Sequence, residues 1–517
     1  MTQRLKRRRR PNGVKATRPS PARARHEPAA VEWADRRDRR GKKLSDHVKA
    51  GSLLSAIALR CCAWSERWFP DAFAFAVLAV AVVTIGALGI GVAPLTVAQS
   101  FGSGFWSLIP FTMQMTFIII GGYVTADSPP VTRLVQRLAA VPKTGRAAVA
   151  LVALFGILLS LIHWGLSLIL ASLLARAVAQ RTDLRVDYRA ASAAACLGLG
   201  SVWALGLSSS AALLQANPGS MPAALLAETG VIPFGETIFL WQSLLIAAIL
   251  VVTNTWVAWK SAPEGVHAQT AQQLGIDLTP RCWDVSLRTR PGEWLEYSPL
   301  PTLFIAALGL TWLSTEFVTK GVVGTISNLN TYNFIFLMAG LLLQWQPRRF
   351  LESVGRSVPS VAGILIQYPF IGAIAAILTG ANNAAGQTLS GMLGHAFTQV
   401  ASHATLAPII GAYSALLGLF VPSGGAKWII EAPYVMQAAN ASHYHLGWVV
   451  QIYNAAEALP NLINPFWMLP VLGIVGLRAR DLVGFTFIQF VINLPLVLFL
   501  LWLLGTTLTY HPPLIAH

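Results

Sequence analysis

Two short polar stretches interrupt long apolar runs, and their residue types suit the binding of a small anion with a cation or proton. The first, residues 161–167, reads LIHWGLS and is called the first tip; it contains His163, Trp164, Gly165 and Ser167. A helix that starts at such a break presents free N–H groups and a positive dipole end, which attract a carboxylate. His163 could carry a proton near neutral pH, or it could be a neutral core histidine bonded to a carbonyl.

The second tip, residues 421–428, reads VPSGGAKW and has a similar composition. Its glycines and proline could simply turn the chain, with the serine capping a helix, or they could open backbone groups for a ligand. Lys427 could attract a substrate carboxylate, or it could neutralise Glu431 four residues later on the same helix. The candidate substrate-binding residues of this tip are Ser423, Gly424, Gly425, Lys427 and Trp428.

Each tip is followed by an apolar segment that is itself broken, GSVWALGLSSS at 200–210 and YNAAEALPNLINPFW at 453–467. Hydroxyls and amides can hold a carboxylate while Trp203 and other tryptophans enclose a short apolar tail. An ionisable group at membrane depth is costly unless it has a function or a partner. The further candidates are Ser208, Ser209, Asn461 and Asn464 for the substrate, and His163, Asn454 and Glu457 for the coupling ion.

The composition places these stretches in a membrane. Of the 517 residues 54% are hydrophobic and 12% are charged, whereas a soluble protein has about 25% charged residues. Such a chain cannot solvate itself as a globule in water. The apolar segments are long and well separated, which predicts an all-α polytopic membrane protein and not a barrel.

The net charge of +16 does not describe this apolar body, because it is concentrated at the N-terminus. Residues 1–50 hold 17 of the 38 Lys and Arg but only 5 of the 22 Asp and Glu. The stretch lacks apolar periodicity, so we predict a disordered basic tail that keeps the N-terminus in the cytoplasm. Nucleic-acid binding by the tail is the less favoured interpretation.

Nine apolar segments have the length of full spans, and two more are about 30 residues long and broken in the middle. The broken segments are 147–175, which contains the first tip, and 405–435, which contains the second. The nine predicted spans are 70–92, 105–125, 190–207, 237–259, 301–318, 332–346, 358–379, 447–477 and 482–506.

Lysine and arginine divide the connecting loops into two classes, which predict the path of the chain. Loops that carry them are expected in the cytoplasm, and loops without them outside. Segment 147–175 lies between two basic loops, whereas 405–435 lies between two loops without Lys or Arg. We therefore predict two re-entrant helical hairpins that enter from opposite sides. The C-terminus is then outside, and Lys320 is the one exception to the pattern.

The two halves of the body repeat one another at a spacing of about 250 residues, and the extra span at 301–318 inverts the second copy. Inverted repeats with broken helices at the midplane are typical of secondary transporters. The predicted domains are the tail (1–50), a first transmembrane repeat (64–260), a cytoplasmic linker (261–298) and a second, inverted transmembrane repeat (299–510).

Seven sequence blocks between residue 64 and about residue 505 resemble the bacterial short-chain fatty acid transporter family, which includes acetoacetate and butyrate uptake proteins. The family commonly has Asn where this chain has His163, and often reads GGGHW where this chain has Ala426 and Lys427. The blocks are SERWFPDAFAFAVL (65–78), GSGFWSLIPFTMQM (102–115), WGLSLILASLLAR (164–176), NFIFLMAGLLLQ (333–344), GILIQYPF (363–370), FVPSGGAKWIIEAPYV (420–435) and NPFWMLPVLGIVGL (464–477).

This resemblance implies a secondary transporter for short-chain fatty acids or other small monocarboxylates, coupled to H⁺ or Na⁺, with elevator-like motion in a bacterial inner membrane. The expected partners are a small carboxylate and the lipid bilayer, without nucleic acid or cofactor, and a homo-oligomer stays open. One alternative is a dicarboxylate or amino-acid carrier, which needs more fixed positive charge at its site. A membrane-embedded enzyme is another, but no HExxH, GxSxG or paired Asp motif lies at membrane depth.

Overall fold

The computed structural model describes residues 52–513, apart from 69–71, 217, 219–220, 222, 280–289, 401 and 422–423. The predicted tail therefore lies outside the described residues. The described chain consists of helices, turns and loops, with one isolated β-bridge between Asn382 and Thr388.

The helices are numbered α1 to α21 along the chain. The first half contains α1 (Leu53–Trp68), α2 (Ala72–Gly89), α3 (Pro94–Ser107), α4 (Ile109–Ala126), α5 (Pro129–Ala139), α6 (Gly145–Ile162), α7 (Trp164–Ala179), α8 (Tyr188–Ala194), α9 (Ser210–Ala216), α10 (Ala223–Thr229) and α11 (Trp241–Ser261). The second half contains α12 (Glu293–Glu296), α13 (Pro299–Ser327), α14 (Leu329–Gln344), α15 (Pro347–Gly380), α16 (Leu389–Val400), α17 (Leu406–Gly418), α18 (Gly424–Ala441), α19 (Leu446–Ala458), α20 (Pro465–Val475) and α21 (Ala479–Gly505).

Within the described residues, six helical segments are long and apolar enough to cross a membrane, and a bent pair makes a seventh. The bent pair is Leu446–Leu462 with Pro465–Val475, which meet at an angle of 53°. The six are Pro94–Ala126, Gly145–Ile162, Trp241–Ser261, Pro299–Val322, Val361–Gly380 and Ala479–Gly505. The chain is therefore an all-helical polytopic membrane protein.

The span predicted at 190–207 is not a continuous helix. Helix α8 ends at Ala194, and turns lead to a short 3₁₀ helix at Trp203–Leu205. Close packing of glycines explains the difference: a Cβ on Gly198 would lie 2.6 Å from the carbonyl oxygen of Gly156, and one on Gly206 would lie 2.2 Å from that of Leu161. Composition alone could not reveal this approach, because the segment is as apolar as a helix.

Other predicted spans are present as shorter helices. Helix α14, predicted as 332–346, has 16 residues and is about 24 Å long, less than the ~30 Å of a bilayer core. The predicted segment 70–92 contains α2, with 18 residues. Both segments are helical, but they are not among the helices that are long and apolar enough on their own.

The helices pack in two groups. In the first group α15 packs against α2, α3 and α4, and α14 packs between α4 and α13. In the second group α6 packs against α7 and α11. Helix α21 contacts α1, α11 and α17, and α17 also packs on α19. Helices α7 and α20 contact both groups, because α7 also touches α4, and α20 lies between α7 and α15. The first tip, which joins α6 to α7, therefore lies beside the boundary between the groups.

Candidate functional site

The first tip is a sharp break between two helices. Residue His163 has extended backbone angles (φ −157°, ψ 119°), so that α6 ends before it and α7 begins after it. Its Nδ1 accepts hydrogen bonds from the backbone N–H groups of Gly165 at 3.1 Å and Leu166 at 3.3 Å. A nitrogen that accepts from two N–H groups carries no proton, so the neutral ring is protonated at Nε2. The imidazole thus caps α7, and its bonds go to N–H groups instead of a carbonyl.

Aromatic rings surround the first tip. The imidazole of His163 stacks on Tyr332 of α14, with ring centroids 3.5 Å apart and an interplanar angle of 9°. The indole of Trp164 meets Trp467 edge to face at 5.5 Å. A Cβ on Gly165 would lie 2.6 Å from a methyl group of Ile118 in α4. These contacts hold the tip against α4, α14 and α20.

The predicted serines near the first tip already have partners within the protein. Ser208 Oγ accepts from the backbone N–H of Trp164 at 3.1 Å and donates to the carbonyl of Ser160 at 2.8 Å. Ser167 Oγ donates to the carbonyl of Gly156 at 2.7 Å, across the α6–α7 contact. Ser209 Oγ accepts from the N–H of Ala212 at the start of α9. Their structural role is to fasten helix ends and the unwound segment.

The unwound segment before α9 connects the first tip to the second break of the chain. Leu207 N–H donates to the carbonyl of Leu161 at 2.8 Å, at the end of α6. On its other side, Asn461 Nδ2 donates to the carbonyl of Leu199 at 3.2 Å, and a Cβ on Gly200 would lie 2.3 Å from the side chain of Leu462. The segment is therefore packed between the two interrupted regions that the sequence predicted.

At the second tip, Pro422 and Ser423 lie outside the described residues, so the role of Ser423 stays a prediction. Helix α18 begins directly afterwards at Gly424. A Cβ on this glycine would stand 2.7 Å from Cη2 of Trp203 and 3.7 Å from Oε2 of Glu457. Gly425 is less crowded, since its Cβ would lie 3.5 Å from that of Ser210. The start of α18 thus faces both interrupted segments.

Lys427 is completely buried and has a carboxylate partner. Its Nζ donates to Glu431 Oε1 at 2.9 Å and to the carbonyl of Ser414 at 2.9 Å, and it lies 4.3 Å from the ring centroid of Tyr453. The hydroxyl of Ser414 donates to the other oxygen of Glu431. This contact corresponds to the interpretation in which Lys427 neutralises Glu431. A role of Lys427 in binding the substrate stays a prediction.

Glu457 carries a buried carboxyl that has no hydrogen-bond partner among the described residues. Its side chain is 1% exposed, and neither carboxyl oxygen has a hydrogen-bond partner among the described residues. The buried indole N–H groups of Trp203 and Trp428 are likewise unpaired within the described part of the chain. Tyr453, one helical turn before Glu457, packs against Trp428 at 4.7 Å and donates its hydroxyl to the carbonyl of Gly424.

Two of the three predicted asparagines near Glu457 in the chain, Asn454 and Asn464, already have hydrogen-bond partners. Asn454 Nδ2 donates to Gln451 Oε1 at 2.6 Å. Asn464 accepts from the N–H of Phe466 at the start of α20 and donates to the carbonyl of Leu419. Of the residues predicted to hold the coupling ion, Glu457 alone presents an unpaired carboxyl among the described residues.

The predicted residues thus fall into two clusters. The first-tip cluster consists of His163, Trp164, Tyr332, Trp467 and Ser208. The second-tip cluster consists of Gly424, Lys427, Trp428, Trp203, Tyr453 and Glu457. Sequence reasoning missed Tyr332 and Tyr453; the second could have been found from its spacing, because it lies four residues before Glu457 on the same helix face.

A large cavity opens elsewhere along the boundary between the two helix groups. Its volume is about 720 Å³, and its lining includes Asp127 of α4, Arg176 of α7, Arg356 of α15 and Ile474 of α20. Arg176 donates to the backbone carbonyls of Ile474 and Asp277. The cavity therefore lies next to loops that the sequence predicts to be cytoplasmic.

Comparison with known sequences identifies the family. The family model described as "Short chain fatty acid transporter" matches residues 53–504. A protein of Escherichia coli K12 named "Putative short-chain fatty acid transporter" is 34% identical over 422 residues, which are 81% of this chain and 93% of that protein. A Haemophilus influenzae protein of the same name is 30% identical over 459 residues, or 87% of this chain and 100% of that protein.

Two solved structures are similar at a more distant level. The Alcanivorax borkumensis YdaH transporter has a TM-score of 0.43 and 14% identity, covering 85% of this chain and 99% of that one. Neisseria gonorrhoeae MtrF, described as representing a class of antimetabolite efflux pumps, has a TM-score of 0.43 and 16% identity, covering 86% and 97%. The sequence matches extend over nearly the whole described body, and they show that the chain belongs to the short-chain fatty acid transporter family, a family of transporters and not of enzymes.

Proposed function

We propose that the protein is a secondary active transporter that takes up short-chain fatty acids or other small monocarboxylates of the butyrate and acetoacetate class. Uptake is coupled to H⁺ or Na⁺ and proceeds by alternating access. Family membership supports the substrate class. The observation that carries the coupling is the buried carboxyl of Glu457, which has no hydrogen-bond partner among the described residues, because a charged group without a partner at membrane depth is costly unless it binds an ion or proton.

The second-tip cluster has the chemistry for a short acid. The N–H groups at the start of α18 are free of helical partners and lie at the positive end of its dipole, which suits a carboxylate. The indole rings of Trp203 and Trp428 supply apolar walls for a short tail. Their N–H groups, which are unpaired within the described part of the chain, are further donors. This combination of a few donors and large rings is typical of a small-molecule site.

The charge of the site favours monocarboxylates over dicarboxylates or amino acids. A second carboxylate requires an additional fixed cation, and Lys427 was the candidate for it. Its three N–H groups are already used by Glu431, by the carbonyl of Ser414 and by contact with the ring of Tyr453. A substrate with one negative charge fits the remaining donors.

The proposed mechanism includes the predicted inverted repeats, 64–260 and 299–510, with hairpins that enter from opposite sides. Two observations support it: both tips are breaks between helices, and a cavity of about 720 Å³ lies between the helix groups. The second helix group would move against the first and expose the site alternately. On this topology the N-terminus is cytoplasmic, the C-terminus is outside, and the membrane is the bacterial inner membrane.

The proposal is tested by counterflow with purified protein in liposomes. Because protonated short-chain acids cross bilayers unaided, the vesicles are preloaded with unlabelled butyrate at equal pH on both sides, and entry of trace labelled butyrate is followed. We expect entry well above that of protein-free liposomes, and inhibition by acetoacetate but not by succinate or alanine. Entry no faster than in empty liposomes would refute the transport function, and inhibition by succinate or alanine would favour the alternative carriers.

The predicted site residues are tested in the same assay. Trp203→Ala and Ser423→Ala are expected to reduce counterflow, with Glu352→Gln as the control because Glu352 pairs with Arg348 on an exposed turn of α15. Normal counterflow in both site variants would disprove the position of the site while leaving the transport function intact.

A further inference from the structure

We propose that the coupling ion is one proton per monocarboxylate, carried on Glu457, so that net transport moves no charge across the membrane. This inference rests on the proposed transport function and names its coupling.

The second-tip cluster contains one cation and two carboxylates. Lys427 and Glu431 are each 0% exposed and form an ion pair of 2.9 Å, so that their charges cancel. Glu457 lies beside Gly424 at the start of the same helix, and its oxygens have no partner among the described residues. The cluster therefore has one carboxyl whose charge is uncompensated by its neighbours.

Among the described residues, the elements packed against α19 supply no other group that compensates this carboxyl. The titratable groups that act on it electrostatically are Lys427 and Glu431 from α18 and Tyr453 from α19 itself. Tyr413 of α17 interacts with Glu431 and Tyr434 of α18 instead. Residues 203–205, 459–462 and α9 contain no titratable side chain, and α21 has its charged residues, Arg480 and Asp481, only in its first turn. Lys427 is held by Glu431, and Tyr453 is held by Gly424.

The net charge of the second-tip cluster in its empty and loaded states then indicates one proton per monocarboxylate. With the site empty and Glu457 ionised, the cluster carries a net charge of −1. With Glu457 protonated and a monocarboxylate bound, the net charge is again −1. The same charge is therefore present in the loaded and the empty carrier. The proton is taken up by Glu457 on the side from which the substrate enters, and it is released from Glu457 to the side on which the substrate leaves.

The surroundings of Glu457 suit a proton better than Na⁺. Sodium in transporters is coordinated by several oxygens, many of them from unwound backbone. The described backbone beside the carboxyl of Glu457 is that of Gly424, whose carbonyl already accepts from Tyr453. A protonated carboxyl needs only one acceptor. The amide oxygen of Asn461, four residues further along the chain, is buried and unpaired among the described residues.

The experiment separates exchange from net transport in proteoliposomes. Counterflow needs no release of the proton, whereas net uptake does. Net uptake driven by an inward proton gradient is measured after subtraction of the uptake by protein-free liposomes, because the protonated acid also crosses the bilayer unaided. Glu457→Gln, which imitates the protonated carboxyl, is expected to lose this protein-dependent uptake by about a hundredfold while its counterflow falls less than about tenfold. Glu352→Gln is the matched control. Equal losses of exchange and net uptake, or no loss of net uptake, would overturn the inference.

Two measurements on the unaltered protein keep the test independent of the folding of the variant. Replacement of Na⁺ by choline should leave the protein-dependent part of net butyrate uptake unchanged, and a potassium diffusion potential of either sign, set with valinomycin, should not alter its rate. A requirement for Na⁺ or acceleration by membrane potential would refute one-proton coupling while counterflow still supports the transporter. Absence of counterflow in the unaltered protein would instead refute the proposed function itself.

Discussion

The ring of Trp203 lies directly against Gly424, although the two residues are far apart in the chain. A Cβ on residue 424 would stand 2.7 Å from Cη2 of the indole, closer than real Cβ contacts. The contact joins the unwound segment of the first half to the tip of the second half. The same Cβ would stand 3.7 Å from Oε2 of Glu457, so the carboxyl lies beside this contact.

Gly424→Ala should therefore impair transport, because the indole ring must shift. We expect a reduction of counterflow of about tenfold to a hundredfold, in line with the effect of small displacements at a binding site. Gly425→Ala is the matched control, since its Cβ would be at an ordinary 3.5 Å from Ser210. Trp203→Phe removes the ring atom that clashes. Gly424→Ala should therefore reduce counterflow less when it is added to Trp203→Phe than when it is made in the unaltered protein. Equal rates for the two alanine variants would contradict this account.

His163 provides a second test, because its ring caps α7 through Nδ1. Asn is a good capping residue, whereas Ala cannot cap and costs about 1 kcal/mol of helix stability. We expect His163→Asn to retain counterflow and proton-driven uptake, and His163→Ala to lower the thermal stability in detergent and to reduce uptake. If His163 were the proton carrier, the Asn variant would lose proton-driven uptake while its thermal stability stayed unchanged.

The ion pair of Lys427 and Glu431 predicts an asymmetry between single and double substitutions. Lys427→Met leaves a buried carboxylate without its cation and should destabilise the protein by about 3–5 kcal/mol, whereas replacing both partners by Met should cost much less. Thermal unfolding in detergent of Lys427→Met, Glu431→Met and the double variant measures the coupling energy between the two residues. Additive losses in the double variant would mean that the pair is not the reason for the burial of these side chains.

His445 makes the N-terminal end of α19 sensitive to acid. Burial lowers the pKa of His445 below its ordinary value of about 6.5; the nearby Glu236 opposes this shift, while His511 adds to it. Its neutral Nδ1 accepts from the N–H of Trp448 and caps α19. The unfolded chain then binds more protons than the folded one, so stability falls as the pH drops through about 6.5.

We expect His445→Asn, which caps without titrating, to flatten this dependence. The measurement is the midpoint of thermal unfolding in detergent at about pH 7.5 and about pH 5.5, on either side of the histidine range. His267, in the loop after α11, is the matched control for substitution by Asn. An unchanged difference between the two pH values in the His445 variant would assign the acid sensitivity to another group.

The breaks of the chain could be predicted from sequence, because they are marked by residue type. His163 and Gly165 stand alone in a long apolar run, and Pro460 and Pro465 interrupt another. For the same reason Glu457 could be identified as a candidate: a carboxyl in an apolar segment is rare enough to require an explanation. The spacing of Lys427 and Glu431 predicted their pairing as one of two interpretations, and the other was that Lys427 attracts a substrate carboxylate.

What could not be predicted depends on contacts between distant parts of the chain. The unwinding of 195–202 follows from the approach of Gly198 to α6, and nothing in the local composition distinguishes this stretch from a helix. The packing of Trp203 on Gly424 likewise joins residues of opposite halves. The stacking of His163 on Tyr332 needs the position of α14, which no local pattern determines.

The buried ion pair also constrains how the chain enters a membrane. A charged side chain at the centre of an isolated helix opposes insertion by about 2.5–3.5 kcal/mol, and α18 carries two of them in neighbouring turns. The carbonyl and hydroxyl that complete the pair come from Ser414 of α17. Residues 406–441 are therefore expected to leave the insertion machinery as one folded unit, with α17 already in place when α18 meets lipid. The contact that holds this ion pair in the mature protein thus also determines the order in which the helices assemble in the membrane.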